Sequence, residues 1–252
     1  MTAYLQWPLW FATGLSAGFV DSIAGGGGLI TLPVLISSGL EPKEALGTNK
    51  LQATFGSASA AAHYAAAKTV SVKECSRGFA LTFLGAAIGT FAVQRLEPTL
   101  LRRIIPVLLM AVTVCVLLKP DLGQSDTRPR LSRNRFDLIF GLGLGFYDGF
   151  FGPGTGTFWA MAYVLGLGFN LARATGHTKV MNFASNLSSL IFFLLNGKAR
   201  FMVGLTMGLG QLLGARIGSR MVIARGTKFV RPVFLAVVFA LTLTLLYNSF
   251  KH

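Results

Sequence analysis

Charge is what this sequence has least of. Asp, Glu, Lys and Arg together make up 13% of its 252 residues, about half the share in a soluble domain. Hydrophobic residues make up 52%. A globular chain of this length cannot hide that much apolar surface within itself, so its solvent is lipid. Cysteine is equally scarce: Cys75 and Cys115 are the only two, with neither a metal nor a redox spacing. The three histidines, His63, His177 and His252, have no metal-ligand spacing among them. Ser22, Ser57 and Ser59 have no evident His–Asp partners in the sequence. No catalytic group, metal site or cofactor is therefore expected, and the chain does not read as an enzyme. No basic n-region or small-residue cleavage site marks a signal peptide. Tyr4, Trp7 and Trp10 read instead as an interfacial aromatic belt.

The few charges are segregated. None occurs in 51–67, 78–94, 104–118, 180–197, 201–215 or 232–250. Asp21 is the only charge in 1–40, and Asp148 the only one in 138–172. A straight membrane helix needs about 20 apolar residues, and Lys or Arg at the flanks extends the shorter windows by snorkelling. The net charge is +14. With no nucleic-acid-binding motif in view, nucleic acid is excluded as a partner. The basic residues read as loops facing an anionic cytoplasmic leaflet.

What the sequence does have is a repeat. Gly18-Phe19-Val20-Asp21 recurs as Gly145-Phe146-Tyr147-Asp148. A glycine cluster follows each copy: Gly25 to Gly28, then Gly152-Pro153-Gly154-Thr155-Gly156. Lys50-Leu51-Gln52-Ala53 aligns with Lys179-Val180-Met181-Asn182. Leu84-Gly85-Ala86-Ala87-Ile88-Gly89 aligns with Leu213-Gly214-Ala215-Arg216-Ile217-Gly218. This divides the chain into a first transmembrane repeat, 1–120, a basic cytoplasmic linker, 121–134, and a second repeat, 135–252. The fold expected is an all-α polytopic membrane protein of two homologous halves.

The run 5–40, as one helix, would be about 54 Å long against a hydrocarbon core near 30 Å. Glycines 25–28 are also a poor helix interior. Each such run is expected to be two half-helices, either a re-entrant hairpin or a broken through-helix. With a hairpin and three crossings per half, the halves are inverted. Eight basic residues (Lys43, Lys50, Arg95, Arg102, Arg103, Lys198, Arg200 and Lys251) then share one side, and the other fifteen lie opposite. Four full crossings per half would split the charges almost evenly. Only inverted-topology repeats obey the positive-inside rule.

Repeated halves in a membrane chain point to a transporter with its site at the repeat interface. The intramembrane carboxylates Asp21 and Asp148 are functional candidates. Each either carries a coupling proton or caps the half-helix that begins at the glycines. The glycine clusters lack a Walker lysine and a βαβ setting, so they are not a nucleotide cradle. Gly25, Gly26, Gly27, Gly28, Gly152, Gly154, Thr155 and Gly156 either offer free N–H groups to an anion or allow close helix packing. Thr48, Asn49, Lys50 and Gln52, with His177, Lys179 and Asn182, open the segment after each break and bring donors suited to an oxyanion. The bland alternative is that Lys50 and Lys179 snorkel to headgroups. Ser57 and Asn186 align one turn deeper. His177 is either a titrating group near neutral pH or structural.

The run from Gly18 to Gly28, then Pro33, then Ala45-Leu46-Gly47-Thr48-Asn49-Lys50-Leu51-Gln52, resembles the sulfite exporter TauE/SafE family. The run from Gly145 to Pro153 is similar to its YfcA-like branch. The resemblance spans nearly the whole chain. It implies a multi-pass inner-membrane transporter, with export as the expected direction, of sulfur-containing anions such as sulfite or organosulfonates. The partners it implies are a small anionic substrate and the lipid bilayer; a homo-oligomer stays open. A non-transporting assembly protein and an intramembrane enzyme are the rival readings.

The charge asymmetry generates a test. A periplasm-active reporter fused after His252 is expected to be active, and a cytoplasm-active one silent. The reverse pattern overturns the inverted arrangement.

Overall fold

The computed structural model describes residues 3–97, 99–101, 107, 123, 125–226, 228–229 and 232–233. The apolar run 104–118 apart from residue 107, all of 232–250 except its first two residues, Cys115, part of the linker, and His252 lie outside the described residues. So do the last crossing expected in each half and the placement of the termini. The described residues contain eight helices of eleven or more residues and no strand. They are α1 (Ala3–Ala24), α2 (Gly27–Ser37), α3 (Pro42–Ala66), α4 (Val72–Arg95), α5 (Arg133–Phe150), α6 (Thr155–Leu167), α7 (Leu171–Leu195) and α8 (Phe201–Arg225).

Local chemistry sets the boundaries. Pro42 opens α3, where its missing N–H is no loss. Ser71 accepts from Glu74 N at the start of α4, and Asn170 accepts from Arg173 N at the start of α7. The α1–α2 break falls at Gly25 and Gly26, with φ of 77° and 96°. The α5–α6 break falls at Gly152 and Gly154, with φ of 99° and 82°. That left-handed region is open to glycine at little cost. Gly27 and Gly28, expected inside the break, instead form the first turn of α2. The half-helices are unequal: 22 and 11 residues in the first run, 18 and 13 in the second. The described end of the linker is tied to the α6–α7 corner by Thr127 N to Gly168 O and Arg130 N to Gly166 O.

Helices α4, α7 and α8 are long and apolar enough to cross a membrane by length and composition. Helix α3 has the length, but Asn49, Lys50 and Gln52 lie within it, all buried against neighbouring helices. Trp7 is exposed as a belt residue should be, whereas Trp10 is 7% exposed and belongs to the core.

Glycine seams hold the bundle. A Cβ on Gly14 or Gly18 of α1 would overlap the carbonyls of Met207 or Gln211 on α8. Gly210, Gly214 and Gly218 face Phe11, Leu15 and Phe19 in return. The same seam joins α4 to α5: Gly85 and Gly89 face Leu142 and Phe146, and Gly145 and Gly149 face Thr82 and Ala86. Without a hydrophobic drive in lipid, such close backbone approach is what holds helices together.

Residue numbers rise together along both seams, so each pair runs parallel. Helix α3 runs parallel to α8 (Leu51 at Gly204, His63 at Ser219). Helix α4 runs parallel to α7 (Thr82 at Met181, Thr90 at Ser189). Helices α3 and α7 cross antiparallel: Gly47 meets Phe193, and Tyr64 meets Gly176. Thus α1, α3 and α8 point one way, and α4, α5 and α7 the other.

The seams predict a stability contrast. Gly89→Ala drives a methyl group into the Phe146 carbonyl and is expected to destabilise by about 1–3 kcal/mol. Gly143→Ala, where a Cβ meets nothing within 4 Å, should be neutral or stabilising by up to about 1 kcal/mol. Thermal unfolding of both variants in detergent checks this; equal melting temperatures would refute the seam.

Candidate functional site

The two breaks meet in the middle of the bundle. A Cβ on Gly156 would lie 2.8 Å from Gly25 Cα, and one on Gly28 would lie 3.3 Å from Pro153 Cα. A broken helix exposes carbonyls at one end and amides at the other. Here the carbonyls are taken up by side chains. At the end of α1, Ser22 O accepts from Tyr64 Oη (3.1 Å), Ile23 O from Thr175 (3.4 Å) and Ala24 O from Thr157 (3.1 Å). At the end of α5, Asp148 O accepts from Lys50 Nζ and Gly149 O from Thr90 (3.1 Å). The positive, amide-bearing ends are those of α2 and α6.

These two ends share one polar cavity, about 360 Å³ of atom-free space including its open mouth. The breaks line it with Gly26, Gly28, Gly152, Gly154, Thr155 and Gly156. Helix α3 adds Asn49 and Ala53, and α7 adds Asn182 and Asn186. Asp21, Asp148 and Gln211 complete the wall.

Both intramembrane aspartates pair with the lysine of the opposite half. Lys50 Nζ lies 2.6 Å from Asp148 Oδ1, and Lys179 Nζ lies 3.0 Å from Asp21 Oδ2. The lysines are 1% and 0% exposed, so neither snorkels to headgroups. Nor do they present free charge to a ligand, as the sequence had suggested; a buried ammonium without a counter-ion is too costly to retain. Lys50 also reaches Asn186 Oδ1 at 3.3 Å. Asp148 Oδ2 accepts from Ser185 Oγ. Asp21 Oδ1 accepts from Gly27 N at 3.2 Å, a capping contact on α2 that Asp148 does not make on α6 among the described residues. With the ion pairs cancelling, two helix ends of roughly half a positive charge each face the cavity.

Several expected residues lie off the cavity wall. Gly25 is consumed by the backbone crossing, and Gly27 by its bond to Asp21. Thr48 accepts from Arg200 N at 2.9 Å, fastening the α7–α8 loop. Gln52 sits behind Asn49 and donates to its Oδ1 at 2.8 Å. Ser57 turns to the Ala53 carbonyl. His177 packs at a tilt against Tyr163 and Phe169 in an aromatic cluster. The reason is helical phase. Residues two apart do not face each other, whereas those three or four apart do. The cavity therefore receives Asn49 and Ala53, four apart on α3, and Asn182 and Asn186, four apart on α7. Thr48, Gln52 and His177 fall off those faces.

Sequence reasoning missed Ala53, Ser185 and Gln211. Gln211 had a signal: it is the only amide in the uncharged run 201–215.

A polar cavity between two broken helices, inside a bundle with apolar helices of spanning length, is the architecture of a membrane transporter. The chain belongs to the sulfite exporter TauE/SafE family, whose profile matches residues 10–245. It is 45% identical over 239 residues to "Probable membrane transporter protein YfcA" of Escherichia coli strain K12, covering 95% of this chain and 89% of that protein. It is 43% identical over 239 residues to "Probable membrane transporter protein" of Haemophilus influenzae, with 95% and 94% covered. "Probable membrane transporter protein ORF9" of a Sinorhizobium species is 43% identical over 236 residues, with 94% and 90% covered. No solved structure matches the chain at a significant level.

The crossed pairs generate a stability prediction. Asp148→Leu leaves the Lys50 ammonium buried and unpaired, and should cost about 3–5 kcal/mol. The double variant Lys50→Met, Asp148→Leu should recover most of that loss. If single and double variants melt alike, the pair is not coupled.

Proposed function

We propose that the protein is a secondary transporter of small anions in the inner membrane, with sulfur-containing oxyanions or organosulfonates such as sulfite as the substrate class. The observation that carries this reading is the convergence of two half-helix amino ends on one cavity. Their lysine–aspartate pairs cancel, so the unbalanced charge facing a ligand is the positive dipole of α2 and α6. The amides of Asn49, Asn182, Asn186 and Gln211 surround that charge and add neutral donors suited to several oxygens at once. The family's name points to sulfite within this class. For a lone anion, a negative-inside potential favours export.

The two halves are read as inverted repeats. Helices α1 and α5 occupy equivalent sequence positions yet point in opposite directions, and so do α3 and α7, and α4 and α8. That relation, with the site between the two halves, suits alternating access by rocking of one half against the other. The sequence contains no ATP motif, so movement is read as driven by ion or potential gradients.

The test is a thermal-shift panel on purified protein, with sulfite, sulfate, thiosulfate, methanesulfonate and acetate, followed by flux in proteoliposomes. A true ligand at 100 times its Kd should add about 2.7 kcal/mol of stability. Asn182→Ala should weaken binding by about 1–3 kcal/mol. Lys73→Ala, on an exposed site outside the cavity, should leave it unchanged. Stabilisation by none of the oxyanions would sink the reading.

A further inference from the structure

The two ion pairs occupy equivalent places in the repeat, but their surroundings differ. Asp148 is closed in: Lys50 holds one carboxylate oxygen and Ser185 the other, and the side chain is 5% exposed. Lys50 is equally occupied, by the Asp148 carboxylate, the Asp148 carbonyl and Asn186. Asp21 is 17% exposed and opens onto the cavity. The residue of the first half equivalent to Ser185 is Gly56, which has no hydroxyl to give. The space beside it is filled by the Gln211 side chain, whose Oε1 is buried without a partner. The residue equivalent to Asn186 is Ser57, which is turned toward backbone carbonyls. Lys179 is therefore left with a single acceptor among the described residues, Asp21 Oδ2. Two of its three N–H groups are unused. The ammonium sits directly behind Gly156 of the cavity wall, where an added Cβ would be 3.4 Å from Lys179 Nζ.

We propose that the pairs have different jobs. Lys50–Asp148 is a fixed strut, whereas Lys179 is the cation that receives the anion, and Asp21 is the counter-ion it displaces. This rests on the reading of the cavity as an anion site. When a monovalent oxyanion pairs with the Lys179 ammonium, the Asp21 carboxylate would be left with a second negative charge beside it. It takes one proton from water at the cavity mouth and becomes a neutral acid. Lysine keeps its charge throughout. Empty and loaded sites then carry the same net charge, so one gated motion serves both. On release the steps reverse, and the proton leaves with the anion. The groups facing Asp21 are few. Helix α7 presents Lys179, α2 the Gly27 amide, α8 Gln211, and α3 the Tyr64 hydroxyl, which is bonded to Ser22 O. Helix α6 presents Thr157, bonded to Ala24 O, and Lys50–Asp148 lies across the cavity. No other titrating group among the described residues is placed to take the proton. Such coupling makes flux of a monovalent anion electroneutral, so its direction follows the anion and proton gradients rather than the potential.

The experiment uses the full chain and methanesulfonate, a probe whose own charge does not change across the range in which carboxylates and histidines titrate. Thermal shift gives its affinity as a function of pH. Proteoliposomes with an internal pH dye give the accompanying proton movement. The wild type should bind up to about tenfold more tightly per unit fall in pH and acidify the lumen as it takes up the anion. Asp21→Asn should bind without pH dependence and carry out anion exchange without proton movement. Ser185→Ala, which loosens only the strut, should keep both pH effects. Proton movement surviving in Asp21→Asn overturns the inference. So does equal loss of pH dependence in Ser185→Ala. Absence of wild-type binding to methanesulfonate and to the other oxyanions, at any pH, overturns the anion reading as well; binding without pH dependence overturns the coupling alone.

Discussion

A charge buried in a bilayer protein must find its opposite, and here both intramembrane aspartates of the breaks find it in the other half of the chain. Lys50 reaches Asp148 and Lys179 reaches Asp21. The rest of the site follows from those two bonds. They require each lysine-bearing helix to lie beside the opposite break. They bring the amino ends of α2 and α6 to one cavity. They also balance the lysine charge in the empty cavity, so an arriving ligand first meets helix ends and amides rather than a bare pair of ammonium groups.

Backbone chemistry imposes the second constraint. A broken helix in a dry interior must satisfy its loose carbonyls. Tyr64, Thr175, Thr157, Lys50 and Thr90 do so from neighbouring helices. Four of these five reach across from the other half. At the amide ends only Gly27 N is bonded to a side chain among the described residues, that of Asp21, and this division makes the break a binding surface rather than a defect. Close approach of the two breaks depends on Gly25 and Gly156 having no side chains.

Much of this was legible in the sequence. The repeat located both breaks, both aspartates and both lysines, because an isolated charge or a run of glycines stands out in an apolar stretch. The cavity face was less legible. Proximity in sequence favoured Thr48, Gln52 and His177, whereas the α-helical turn selects Asn49, Ala53, Asn182 and Asn186. Had the spacing of four between Asn49 and Ala53, and between Asn182 and Asn186, been weighted over adjacency, the face would have emerged. The pairing of each lysine with the opposite aspartate was not legible, since it joins residues 98 and 158 positions apart. Nor was the inequality of the two pairs, which arises where the repeats differ: Ser185 against Gly56, and Asn186 against Ser57.

The seams between α1 and α8 and between α4 and α5 have a bearing on biosynthesis. Helix α1 leaves the ribosome before its partner α8, which is the last of the eight helices to do so. At roughly 5–20 residues per second, the 158 residues separating Asp21 from Lys179 take about 8–30 s to translate. During that interval α1 sits in or beside the membrane with a bare carboxylate and an unfilled row of glycines. The first half is thus an insertion intermediate rather than a finished domain, and the nascent chain must be sheltered until its second half arrives.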